Sequence, residues 1–125
     1  MFDDDKTRQL RAGTVGNDAR AAAVELLINA DLVRDDHPWV LQDSVSGGWT
    51  IDFNRATEAV DALTIEHHQW GLTPSLLSVL EIAASIADGL SVHLREVLPE
   101  LDQQHATLVM TAIGHAAGRS ERENE

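Results

Sequence analysis

Apolar positions recur every three to four residues along most of this chain, and one stretch departs from that period. Asn17 or Asp18 can accept the free backbone N–H groups of a first turn. After them Ala21, Val24, Leu27, Ile28 and Leu32 repeat at helical spacing, with Glu25 and Asn29 on the other side. The pattern predicts a helix from about Asp18 to Val33. It stops at Asp35, Asp36, His37 and Pro38, because proline pushes its predecessor out of helical geometry. The departure follows. Trp39 to Asp43 and Trp49 to Phe53 are short runs with β-branched and aromatic residues, separated by a turn containing Gly47 and Gly48. They predict a β-hairpin near 39–53, which needs helices to pack against. Asp52 or Asn54 then caps a helix to about Leu63, with Phe53, Ala56, Val60 and Leu63 as its stripe. His67 and Trp70 extend that stripe if the helix runs on toward Gly71.

The second half carries sharper signals. Thr73 followed by Pro74 starts a helix, with threonine as cap and proline at the first helical position. That helix should reach Asp88 and stop at Gly89. Its polar residues, Ser75, Ser78, Glu81, Ser85 and Asp88, form one narrow stripe, so it should lie at the centre of the core. The stripe itself reads as a helix surface or a helix–helix contact. A brief helix from Leu94 to Leu98 breaks near Pro99. Asp102 caps a last helix to Ala117, and Gly118 ends it. Leu101, Leu108, Val109, Ala112, Ile113 and Ala116 should form its buried side, and Gln104, Thr107, Thr111 and His115 its polar side. The fold class expected is mainly α, a compact domain of four to five helices with one small hairpin. Residues 1–16 read as a flexible N-terminal arm, 17–118 as a single helical domain and 119–125 as a flexible acidic tail.

Charge changes this picture more than any motif does. The chain has 21 Asp and Glu against 9 Lys and Arg, a formal net charge of -12. From Asn17 to Gly118 there are 15 acidic residues and only four arginines (Arg20, Arg34, Arg55, Arg95), so the acidity belongs to the folded part. Such a field repels phosphate backbones and anionic lipid. The 125 residues suit one domain able to fold without staples. Cysteine is absent, which removes disulfides, thiolate metal sites and a cysteine nucleophile. No signal peptide is recognisable at the N-terminus and no apolar run approaches the roughly 18 residues that span a bilayer, so a cytoplasmic location is expected.

Part of the chain resembles a group of small proteins of actinobacteria and their phages that have no assigned activity. The matching residues run from Leu80 to Gly89 and from Val92 to Asp102, with Leu108, Val109 and His115 to Gly118. Trp49 to Ala59 and Ala62-Leu63 resemble the segment that precedes them. The resemblance implies an actinobacterial or phage-related source, which agrees with the excess of arginine over lysine. It implies no catalytic residue.

The chemistry-bearing clusters are sparse. The three helices after residue 73 have the order of a helix-turn-helix, and the hairpin could serve as a wing. Its would-be recognition helix, 102–117, contains no lysine or arginine, and only Gln103, Gln104 and His105 could read a base edge. Glu66, His67 and His68 are the densest metal-ligand types, with His37, His93, His105 and His115 elsewhere. Adjacent helix residues point about 100° apart, so His67 and His68 would not face one ion. No metal or other cofactor is expected. Ser, His and Asp all occur, but no nucleophile elbow, phosphate loop or dinucleotide fingerprint does.

The expectation is therefore a non-enzymatic, acidic protein-interaction module. It would bind a protein partner, preferentially a basic one, as a DNA mimic or a regulatory adaptor. A homodimer is compatible with this, while direct nucleic-acid or membrane binding is not expected. The candidate partner-binding residues are Trp39, Trp49, Trp70, Glu81, Arg95 and His115. Tryptophan is enriched at interaction hot spots, although filling a small core is the plainer reading for each of the three. The alternative function is a helix-turn-helix-derived transcriptional regulator acting as a dimer or with a partner.

Overall fold

A computed structural model describes residues 4–34, 37–42, 45, 47–58 and 72–118. Its helices are α1 (Asp4–Ala12), α2 (Asp18–Asn29), α3 (53–58), α4 (Pro74–Asp88), α5 (Leu94–Val97) and α6 (Gln103–Ala116). A 3-10 turn over Leu98–Glu100 joins α5 to α6. Strands β1 (Val40–Gln42) and β2 (Trp49–Ile51) pair antiparallel, with Val40 opposite Ile51 and Gln42 opposite Trp49. The protein is mainly α with one two-stranded hairpin. Among the described residues, no helix is long and apolar enough to cross a membrane.

Helix α2 sits in the middle, against α1, α4 and α6. Its buried residues are Ala22, Ala23, Val24, Leu26 and Leu27, a wider stripe than the spacing suggested, because neighbours cover it on more than one side. Asn17 caps it by accepting the Arg20 N–H. The helix ends at Asn29, earlier than the predicted Val33. The cause is Asp31, which adopts a left-handed backbone with φ of 59°. The Leu32 N–H then donates to Leu27 O and the Asp31 N–H to Ile28 O, which is a Schellman closure. Glycine normally takes this position, so the sequence carried no visible stop.

The chain beyond that stop is fastened from inside. The Leu32 carbonyl accepts the Trp39 indole N–H at 2.8 Å and lies 3.0 Å from His37 Nδ1. The two rings stack, with centroids 4.4 Å apart. Both are buried, and Trp39 is among the largest fully buried side chains. The hairpin follows directly, and the Asp52 N–H donates to Trp39 O to extend the pairing. Asp52 also caps α3 through the Arg55 N–H.

Helix α4 begins and ends where the sequence placed it. Thr73 accepts the Leu76 N–H, Pro74 opens the helix, and Gly89 closes it at φ of 70°, where a side chain would be strained. It packs on α2 and α6 and buries Val79, Leu80, Ile82, Ala83 and Ala84. The start of its polar stripe is a helix–helix contact and not surface, since Ser75 and Ser78 are buried and Ser75 bonds to His105 on α6. Helix α6 is capped by Asp102 through the His105 N–H. Val109 and Ala112 form its buried side, with Leu108 partly buried. Ile113 is half exposed (49 %), contrary to the expected stripe, because helical spacing alone does not say how far a neighbouring helix reaches.

The N-terminal segment is the main departure. Residues 4–12 are a helix and not a flexible arm. Asp4 and Asp5 stand in its first turn and Arg11 in its last, favourable at both ends of the helix dipole. Leu10 enters the core and the helix rests on β2 and α2. One apolar anchor makes no period, which is why the helix was not legible. The tail 119–125 lies outside the described residues.

Candidate partner-binding surface

Most of the cations on this surface are engaged by the chain's own acids. Arg8 pairs with Asp5 at 3.8 Å, Arg34 with Asp31 at 2.6 Å and Arg55 with Asp52 at 3.8 Å, each within one helical turn of sequence. Arg11 meets Glu25 at 2.6 Å and Arg20 meets Asp88 at 2.6 Å across elements. Arg95 alone of the described arginines has no such partner among the described residues; it is exposed on α5. Asp18, Glu96 and Glu100 are exposed with no paired cation among the described residues. The described surface therefore offers no basic patch.

The candidate residues do not converge. Trp39 is wholly inside, so it packs the core and is not available to a partner. Its indole N–H is used within the fold, which removes the polar handle an interface tryptophan keeps. Trp49 on β2 is half-buried at the edge of the core, with Lys6 Nζ 4.8 Å from its ring centroid. Glu81 on α4 is half-buried and Arg95 is exposed on another element. His115 is half-buried and turned toward α2, contrary to the accessible position expected of it. It lines a cavity of about 30 Å³ with Glu25, Asn29, Leu108 and Thr111. That volume is enough for about one water molecule. Trp70 lies outside the described residues, as do Glu66, His67 and His68.

The fold does bring one Ser-His-Asp set together. Ser75 Oγ and His105 Nδ1 are hydrogen-bonded at 2.6 Å, and Asp102 Oδ2 lies 3.2 Å from the same Nδ1. Ser75 Oγ also accepts the Asp102 N–H at 3.0 Å. A proton relay needs serine and carboxylate on opposite ring nitrogens. Here both meet one nitrogen, so the imidazole cannot pass a proton between them. The cluster instead fastens the first turn of α4 to the cap of α6. Among the described residues, no group of three or more His, Cys, Asp or Glu could hold a metal ion.

No family model, curated protein or solved structure matches the chain. The surface must therefore be read from its own contacts.

Charged contacts between elements gather under α1, on Trp49 and Glu25. Lys6 and Leu10, four residues apart, share a helix face. Lys6 lies over Trp49, and Leu10 is 2 % exposed. Arg11, at the edge of that face, grips Glu25 with two bonds, Nε to Oε2 at 2.6 Å and Nη2 to Oε1 at 3.2 Å. The hydrogen bond to Glu25 raises the Arg11 pKa above its ordinary value. Arg20 plays a similar part deeper in the fold. It donates to Asp88 and to Ile51 O, and its guanidinium lies 5.1 Å from the Phe53 ring centroid. Asp88 is the last residue of α4, where a helix dipole disfavours a carboxylate, and Arg20 offsets that cost. The available signal was the order of charges from Asp4 to Arg11, acid first and base last.

Proposed function

We propose that this protein is a non-enzymatic interaction module whose acidic surface binds a basic protein partner. The observation that carries the reading is the fate of its cations. Five of the six described arginines pair with the chain's own carboxylates, so within a chain of net charge -12 the described surface holds no basic patch. An acidic field steers a basic partner and speeds encounter more than it adds affinity. Acting as a DNA mimic or as a regulatory adaptor are the two forms this binding would take.

A retention experiment tests it. The chain, immobilised, is exposed to an actinobacterial lysate at about 50 mM salt and washed at about 500 mM, where screening shortens to a few ångströms. A basic protein retained at low salt and released at high salt is expected. Retention of no basic protein at low salt contradicts the proposal. The helix-turn-helix reading has α4, α5 and α6 in its favour, but α6 carries no lysine or arginine to meet phosphates. A salt-sensitive, sequence-specific gel shift with genomic fragments would reverse the ranking.

A further inference from the structure

We infer that α1 occupies the partner's seat as a built-in ligand, and that the partner is a basic amphipathic helix that displaces it. The inference rests on the acidic-surface reading and names its location and the chemistry it recognises.

Helix α1 carries Lys6, Arg8 and Arg11 against Asp4 and Asp5, an excess of cations. The sequence from Asn17 to Gly118 carries 15 acids against four arginines, and ten of those acids lie among the described residues. The docking of α1 sets two of its cations, Lys6 and Arg11, against the Trp49 face and the Glu25 carboxylate. Three side chains define the fit. A cation lies over the Trp49 face, an aliphatic side chain four residues later enters the core, and an arginine one residue further takes the Glu25 carboxylate in a fork.

The hold on α1 is also of a kind that another helix can replace. Leu10 is its one buried residue, whereas α2 buries five and α4 seven. The Arg11–Glu25 pair is open to solvent, with side chains 52 % and 33 % exposed, so solvent and salt compete for it. The connection to α2 contains Gly13 and Gly16, the latter at φ of 89°. The cap of α2 is made by Asn17 on Arg20, beyond that connection, so α1 can leave without uncapping α2. A partner helix with the same three side chains and no acids at the positions of Asp4 and Asp5 would bring more positive charge to an acidic chain than α1 does. An occupied seat lowers apparent affinity by the fraction of molecules in which it is open.

The test uses the full chain and a labelled synthetic helical peptide. The peptide presents lysine, leucine and arginine at the spacing of Lys6, Leu10 and Arg11, with glutamine for the acids. Fluorescence anisotropy at about 50 mM salt should show Arg11→Glu binding the peptide about three- to ten-fold tighter than the unaltered chain. Glu25→Lys, which frees α1 but destroys the arginine seat, should not bind it. Equal binding by the unaltered chain and Arg11→Glu, or none by Arg11→Glu with its helicity intact, overturns the inference. So does a dimer of Arg11→Glu that excludes the peptide, since the seat would then belong to a second copy. Should Arg11→Glu fail to fold, hydrogen exchange on the unaltered chain decides. Saturating peptide must speed exchange of the α1 amides and leave α2 protected, and unchanged α1 exchange overturns the inference. Salt-released capture of a basic protein with no peptide effect would defeat this inference and leave the acidic-surface reading standing. Absence of both would defeat both.

Discussion

Helices α1 and α2 are consecutive in sequence and touch in space, yet different forces hold them. Helix α2 lies under α1, α4 and α6 and buries Val24, Leu26 and Leu27 with two alanines. Each leucine contributes about 1.5–3 kcal/mol when fully buried. Helix α1 buries Leu10 alone, and its contacts to other described elements include an exposed ion pair and a cation–π contact. An exposed pair contributes about 0.2–1 kcal/mol, and a cation–π contact at the surface about 0.5–1 kcal/mol. The comparison teaches that membership of the core is graded. From this contrast, α2 should leave only when the domain unfolds, whereas α1 should open locally at a fraction of the global free energy.

The largest expected effect lies on the α2 side of that contrast. Trp39→Ala empties a fully buried site beside the end of α2 and takes away the donor to Leu32 O. It should cost about 3–5 kcal/mol in urea denaturation. A loss below about 1 kcal/mol would mean that this part of the core is not packed as described.

Leu10→Ala is intermediate and more diagnostic. If α1 were integral to the core, the loss would fall in the usual range of about 2–5 kcal/mol. Because α1 can detach, the loss is limited to what its docking contributes, less than about 2 kcal/mol. The denaturant slope measured alongside should fall, since the folded state would already expose the surface under α1.

Arg11→Ala should have the smallest effect, about 0.2–1 kcal/mol at low ionic strength. The difference from the unaltered chain should vanish near about 1 M salt, where the screening length is about 3 Å. A difference that persists at high salt would place the Arg11 contribution in packing and not in charge.

Much of the fold was legible because its signals are local. Thr73 with Pro74, Gly89, Asp102 and the turn containing Gly47 and Gly48 each act within a few residues, and each marks a boundary the structure has. What was not legible depends on contacts between distant residues. Helix α1 is polar and has a single anchor, so it shows no apolar period. Helix α2 stops at an aspartate in a conformation that glycine usually supplies. Ser75 and Ser78 read as helix surface or helix–helix contact, and only the fold decides between these, because the Ser75 hydroxyl finds its partners, His105 and Asp102, far along the chain. The candidate site was less legible than the fold. Trp39 proved to be core, and His115 turned toward α2. The pairings that define the seat, Lys6 with Trp49 and Arg11 with Glu25, join residues with no recognisable spacing. Only Trp49 was named beforehand.

Residue-resolved hydrogen exchange of the unaltered chain at about 50 mM and about 500 mM salt tests the separability of α1 most directly. Amides of α1 should exchange through a local opening that becomes easier at high salt, while amides of α2 should stay protected to the global limit at both. Equal protection of α1 and α2, unmoved by salt, would show that α1 is an ordinary part of the core and would contradict the account.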